Sequence, residues 1–333
     1  MSATAENLAM TDKIPGLETF IDHPSGYFTL SDRNRHFQMN GIPGFIAYRE
    51  YGRHYVIFGG VNAPEDKQAE LLQAFIAEAE VHKRNIVAVQ VRESQVHLFR
   101  NIGATVNQLG SSFCVDLVGY TFAGTRKMRL RNKIKRAEKA GLKVLEVGKG
   151  LPRDESTFAR LNQVSDKWLA AKGKKELDFM IGELGCASDT ERRIFVVQDK
   201  KGEFIAFITY VPVWGGRPGY LHDLTRKLPD APTGAMELCN ARALEQMMEE
   251  GIKYLHFGFT PFIVDEVEPE GGQGFIAWLV RLLYRHGSVV YPAKTQSEYK
   301  VKWGTDIIER EYIAARPFSL RCAFDLLRLT RSI

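Results

Sequence analysis

Residues 219–261 read GYLHDLTRKLPDAPTGAMELCNARALEQMMEEGIKYLHFGFTP, and the spacing predicts a strand, a tight loop, a helix and a second strand. Apolar positions recur at Leu238, Ala241, Leu244, Met247 and Met248, close to the helical period, and Gly251 is placed to stop the helix. Residues 252–259 read as a short buried strand that Gly258 and Pro261 end. The loop Pro229-Asp230-Ala231-Pro232-Thr233-Gly234 opens directly into the helix. A helix start offers free N–H groups and the positive end of a dipole, which suits an anion, although a plain α/β crossover has the same layout. The preceding strand carries His222, Asp223 and Arg226, a heavy polar load for a buried segment, so chemistry is expected there.

A second passage shares this layout. Residues 54–59 predict a strand, VNAPEDK a polar loop, 68–83 a helix, 85–91 a strand, 93–102 a helix and 104–117 a further strand region. Two strand–loop–helix–strand units indicate an α/β (α+β) chain built from two copies of one fold. Residues 154–171 and 274–286 read as helices, and 194–198 with 204–212 as a hairpin around Asp199-Lys200-Lys201-Gly202. The segment 320–329 is amphipathic with basic flanks, fit either to lie on a membrane or to dock on its own domain.

A length of 333 residues suits two domains, and 44% hydrophobic with 26% charged residues is the balance of a soluble globular chain. No apolar run reaches the ~18–20 residues of a membrane span, and no secretory signal opens the sequence, so a cytoplasmic location is expected. The four cysteines form no Cys-x-x-Cys pair and the histidines no metal-ligand spacing, so neither a disulfide scaffold nor a metal is expected. The net charge of +5 is concentrated in 126–143, RKMRLRNKIKRAEKAGLK, with nine Lys/Arg and one Glu. This run fits phosphate contact with tRNA or an anionic membrane, or a solvated helix face; without aromatics it does not fit base stacking.

An ordered set of short motifs, over about residues 40 to 315, resembles the C-terminal catalytic domain of lysylphosphatidylglycerol synthases, aminoacyl-tRNA-dependent lipid-modifying enzymes. It begins with Val115-Asp116-Leu117 through Phe122-Ala123-Gly124, then Leu130-Arg131-Asn132, Arg136 and Gly141. Ser165-Asp166-x-Trp168-Leu169, Lys175-Glu176 and Phe179-x-x-Gly182 follow. Next come Asp223-Leu224-x-Arg226, Pro229-Asp230-Ala231-Pro232-x-Gly234-x-Met236 and Phe257-Gly258-x-x-Pro261. Lys294, Tyr299-Lys300-x-Lys302-Trp303, Glu309 and Tyr312 close the set.

The resemblance implies two tandem GNAT-like domains, each a mixed central sheet flanked by helices. The expected division is a flexible tail at 1–15, an N-terminal domain at 16–120, a catalytic domain at 121–318 that opens with the basic helix, and an amphipathic helix at 319–333. It also implies aminoacyl-tRNA as co-substrate, with no cofactor and no DNA partner. A proline-rich loop in place of the acyl-CoA glycine loop agrees, because proline removes N–H donors. The family's membrane-spanning half has no counterpart in these residues, and 262–273 is more acidic than the family pattern. The acceptor thus stands open between a phosphatidylglycerol-like lipid, reached by peripheral contact with the inner face of the membrane, and a soluble hydroxyl or amine. An acyl-CoA N-acyltransferase is a further alternative.

Asp223 is expected to bind the donor's ammonium or act as base, or else to bridge to Arg226. Arg226 is expected to hold a phosphate or the terminal adenosine of tRNA. Residues three apart on a regular strand face opposite ways, so the two share a pocket only if the strand is bulged; the resemblance implies such a disruption. Lys294 and Lys300 are candidates for an acceptor phosphate, His222 and Tyr299 for proton transfer, and Asp230, Gly234 and Glu237 for substrate binding. Arg129, Arg131, Lys135 and Arg136 are candidates for tRNA or membrane contact.

Overall fold

The runs His54–Phe58 (β3) and Asn85–Arg92 (β4) lie side by side as parallel strands in the computed structural model of the protein, which describes residues 17–172, 182, 184–187, 189–264 and 293–329. Parallel neighbours require a crossover, here the helix Glu65–Val81 (α1). Its Leu71, Leu72, Phe75, Ile76 and Ala79 recur three and four apart and bury one face. The second expected passage forms in the same way: Gly219–Lys227 (β9), the helix Ala235–Glu249 (α5) and Tyr254–Pro261 (β10), with β9 and β10 parallel. The expected hairpin also forms, from Arg193–Gln198 (β7) and Phe204–Val213 (β8). Its turn is held by Asp199, whose carboxylate accepts the N–H groups of Lys201 and Glu203 at 2.8 and 2.9 Å.

These strands belong to one mixed sheet of eleven, with Arg35–Met39 (β1), Ile42–Tyr51 (β2), Thr105–Asp116 (β5), Lys143–Glu146 (β6) and Ile307–Arg316 (β11). The order is β1-β2-β3-β4-β11-β5-β10-β9-β8-β7-β6. β5 leaves its sequence neighbour β4 and pairs with β10, while β11 returns from the far end of the chain to fill the place between β4 and β5. The sheet is therefore continuous across residue 120.

Alternation along β7 sends Phe195 and Val197 to one side and Ile194 and Val196 to the other. The first side packs on α5 and on the basic helix Met128–Lys139 (α3) through Leu130, Ala137, Leu238 and Leu244. The second packs on Glu155–Lys172 (α4) through Phe158, Leu161 and Val164. Val96–Asn101 (α2) and α1 cover Ile57, Ala88 and Tyr312. The amphipathic segment Leu320–Leu329 (α7) docks on its own sheet: Cys322 packs with Val56, Phe58 and Val87, and Asp325 accepts from His54 Nδ1 at 2.8 Å. No helix among the described residues is long and apolar enough to cross a membrane.

Three expectations need correction or lie elsewhere. β10 runs over Tyr254–Pro261 where the sequence predicts 252–259: Pro261 ends it, whereas Gly258 does not stop it but is left-handed (φ +68°) at a bulge against β5. The strands β1, β2, β6 and β11 and the helix Ala293–Val301 (α6) are additional to the elements expected. The expected tail at 1–15 and helix at 274–286 lie outside the described residues.

Gly234 (φ +92°) starts α5, and a Cβ there would lie 2.1 Å from the Lys133 carbonyl oxygen of α3. Gly234→Ala should cost about 2 kcal/mol or more, from left-handed strain and separation of the two helices. The measurement is urea unfolding, with a lower midpoint at unchanged slope; an unaltered midpoint would show that the α3–α5 contact yields freely.

Candidate active site

β9 carries one residue more than its neighbour. Thr225 pairs with Ile208 and His222 with Tyr210, so Asp223 and Leu224 together oppose Thr209. The side chain of Thr209 repairs the broken ladder, its hydroxyl accepting the Leu224 N–H at 3.0 Å. This is the disruption that the family resemblance implied, and it changes which way the side chains face. Leu224 joins the α4 core, and Arg226 lies over the Trp168 ring of α4, 4.2 Å from its centroid. Asp223 meets the Thr209 hydroxyl at 3.2 Å and the Gly182 N–H at 3.1 Å. Asp223 and Arg226 are thus brought to the α4 side together.

The ion pair of Asp223 is with Arg192, which the sequence reading did not single out. Arg192 just precedes β7 and also holds Asp189 at 3.0 Å. Burial lifts the Asp223 carboxyl above its ordinary range against the pull of the Arg192 guanidinium. A buried carboxylate held by an arginine, a hydroxyl and a backbone N–H is preset to meet a cation.

On the other side of β9 the setting is aromatic. His222 stacks on Phe257 with centroids 5.3 Å apart, and Tyr299 lies 6.0 Å from it. Burial, with Lys300 adding to it, pushes the imidazole down to about 3, and burial raises the Tyr299 hydroxyl well above its usual range. Both groups therefore stay uncharged at neutral pH, and among the described residues His222 Nε2 has no hydrogen-bond partner.

β9 and β10 pair only over Gly219–Leu221 and Tyr254–His256, then part. The Gly258 bulge turns two carbonyls of β10 inward, and the ammonium of Lys300 caps them, donating to Gly258 O at 2.7 Å and Phe259 O at 2.9 Å. Lys300, expected as a phosphate contact, is buried, and burial draws its pKa from 10.5 down to about 7. Lys294 lies on α6, where only its backbone is described.

At the loop before α5, Asp230 is exposed. Glu237 is buried between Lys302 at 2.8 Å and Lys133 at 3.0 Å. Burial acts to raise its carboxyl, but the two lysines hold it below the ordinary range. On the basic helix, Arg129, Lys135 and Arg136 are exposed as expected. Arg131 is not: it turns back to donate to Phe122 O and Gly124 O, both at 2.7 Å, and fastens the loop before α3.

A cavity of about 290 Å³ lies toward the opposite end of β9, lined by Asp22, Arg92, Trp214, Arg217, His256 and Glu309. Its charges satisfy one another: Glu309 accepts from Arg92 at 3.0 Å and Arg217 at 2.5 Å, and Arg92 also holds Asp22.

Residues 16–315 match the model of the family described as "Phosphatidylglycerol lysyltransferase, C-terminal". Among curated proteins, the phosphatidylglycerol lysyltransferase of Staphylococcus xylosus is 27% identical over 209 residues, 61% of this chain and 24% of that protein. That of Staphylococcus aureus strain COL is 24% identical over 257 residues, 75% of this chain and 30% of that protein. The chain thus spans between about a quarter and a third of the length of the relatives it matches. Among solved structures, the C-terminal domain of a putative lysylphosphatidylglycerol synthetase from Agrobacterium fabrum superposes with a TM-score of 0.77 at 20% identity, covering 96% of both chains. L-PGS from Bacillus licheniformis gives the same score at 22% identity, covering 96% of this chain and 97% of that one. At such identities the likeness speaks for the fold.

Arg192→Met should destabilise the protein by about 3–5 kcal/mol, because it leaves Asp223 buried without its cation. Adding Asp223→Asn should recover part of the loss, and urea unfolding of the two variants reads the coupling. Between pH 7 and 10.5 the unfolded chain binds the Lys300 proton more tightly than the folded one, so this group makes stability rise with pH across that window. Lys300→Met should flatten the rise in thermal midpoints; an identical slope would place the charge of Lys300 in a solvated setting.

Proposed function

Because this chain belongs to the family of phosphatidylglycerol lysyltransferase C-terminal domains, we propose that it is an aminoacyltransferase, moving an aminoacyl group from tRNA to the hydroxyl of a phosphatidylglycerol-like lipid. The observation that carries the reading is the β9 bulge, which turns an acidic and a basic group three residues apart onto one side of the sheet.

An aminoacyl ester is already activated, so the protein has chiefly to position two substrates and stabilise an oxyanion. Asp223, buried and fixed by Arg192, Thr209 and the Gly182 N–H, receives the ammonium of the aminoacyl group as a second cation beside Arg192. Arg226, over the Trp168 ring, offers its planar fork to a phosphate or to the terminal adenosine of the donor. The acceptor hydroxyl attacks the ester carbonyl carbon and gives up its proton to a base. The tetrahedral oxyanion then collapses, breaking the bond to the ribose oxygen, which takes a proton. Lys300 keeps a third N–H beyond the two given to Gly258 and Phe259, and its positive charge at the parting of β9 and β10 is placed to favour that oxyanion. No further cofactor enters this scheme.

The start of α5 speaks against acyl-CoA as donor. Pro229 and Pro232 have no N–H to give, and the N–H groups of Ala231 and Ala235 are spent on Leu228 O and Pro232 O. The tandem arrangement of two GNAT-like halves belongs to the same reading. It is supported by the two crossover units β3–α1–β4 and β9–α5–β10, each with its strands parallel and adjacent.

Incubation with a mixture of radiolabelled aminoacyl-tRNAs should place label in the lipid extract; label confined to aqueous products would turn the acceptor into a soluble metabolite. Arg226→Ala should lower transfer at least about tenfold, or ~1.4 kcal/mol in barrier, while the thermal melt stays cooperative. A folded variant that transfers at the parent rate would remove Arg226 from the mechanism.

A further inference from the structure

Six large apolar side chains stand out to solvent among the described residues, and four of them sit on segments that are joined to one another: Val118 (71% exposed), Met128 (52%), Val301 (55%) and Ile308 (56%). They come from four separate segments that local bonds draw together. The Tyr120 hydroxyl donates to Trp303 O at 2.8 Å, which joins the segment after β5 to the end of α6. Lys127, beside Met128, lies 3.5 Å over the Tyr120 ring and donates to Thr121 O, and its stem passes Gly304. Ile308 pairs with Phe113, on the strand that ends just before Val118. The other two exposed apolar residues, Val81 and Phe324, lie elsewhere, on α1 and α7.

The same set of segments leads into α3. There Arg126, Arg129, Lys135, Arg136 and Lys139 are exposed, and none has a carboxylate partner among the described residues. Their neighbours are otherwise paired: Lys133 with Glu237, and Glu138 with Arg242. An apolar tip beside an unneutralised basic stripe matches the two layers of an anionic bilayer, apolar side chains entering among acyl chains while cations rest at the headgroups. A nucleic acid would use the stripe but has no use for exposed aliphatic groups next to it.

We propose that these joined segments form a membrane-docking surface, seated on anionic phospholipid through Val118, Met128, Val301 and Ile308 with the α3 cations around them. The surface deepens the lipid-acceptor reading and rests on it for its purpose. Its test reads binding with no donor present, so loss of transfer with retained binding would count against the catalytic assignment alone.

Co-sedimentation of the full chain with vesicles tests the idea. Vesicles containing phosphatidylglycerol should retain the protein at least about tenfold better than pure phosphatidylcholine, by basic attraction to anionic lipid. Arg126→Gln with Arg129→Gln and Arg136→Gln should abolish that preference. Val118→Ser, Met128→Ser, Val301→Ser and Ile308→Ser together should keep the low-salt attraction. They should lose the fraction that survives about 1 M salt, where the screening length is about 3 Å. All these changes are at exposed positions, and a thermal melt confirms each fold. Equal binding to both vesicles would overturn the proposal, as would salt-resistant binding by the four-serine variant. So would an arginine variant that loses retention on immobilised tRNA yet binds vesicles as before, since the stripe would then be a nucleic-acid surface.

Discussion

Backbone groups that a neighbouring strand cannot satisfy must be satisfied by something else, and this requirement governs the place where β9 and β10 part. A parallel pair that stops after three residues leaves carbonyls and N–H groups without a ladder. Side chains answer on both edges of β9: at the gap the Lys300 ammonium caps two carbonyls of β10, and at the bulge against β8 the Thr209 hydroxyl accepts the Leu224 N–H. Each repair has a second effect. Thr209 also touches Asp223, and Lys300 brings a positive charge into a buried gap. The polar chemistry of the site is therefore bound up with how the sheet is kept open.

The bulge also sorts the side chains of β9. Asp223 and Arg226 come to the α4 side, where Arg192 steadies Asp223 and Trp168 supports Arg226. The α5 side holds His222, Phe257, Tyr299 and Trp303 in an aromatic cluster, with Lys302 3.8 Å over the Tyr299 ring. Without the extra residue in β9, alternation would send Asp223 and Arg226 to opposite sides. The sorting costs a buried ion pair, which is weak evidence for stability and better understood as holding a carboxylate at a fixed place.

Much of this was legible in the residues. Both crossover units announced themselves through helical periodicity and the glycine and proline signals at their ends, and α7 through its amphipathic pattern. β11 was harder, because its Glu309 and Glu311 spoil the apolar alternation of a central strand. Glu311 is buried with Ser112 on the neighbouring strand donating to it, a contact spanning almost two hundred positions, and with His23 beside it. The partner of Asp223 was hidden for the same reason: Arg192 looks like any polar residue before a strand until the hairpin folds back. Lys300 and Arg131 resembled surface cations. Their burial or turning-in follows from free carbonyls, at Gly258 and Phe259 and at Phe122 and Gly124, which composition does not reveal.

The seat of β11 between β4 and β5 bears on the order in which the polypeptide emerges from the ribosome. Residues 35–116 supply five strands early in synthesis, yet the outer edges of β4 and β5 meet their common neighbour only after residue 307 has been added. Until then both edges are open to wrong partners. Final assembly is thus a late, long-range event, slow by virtue of the loop it must close.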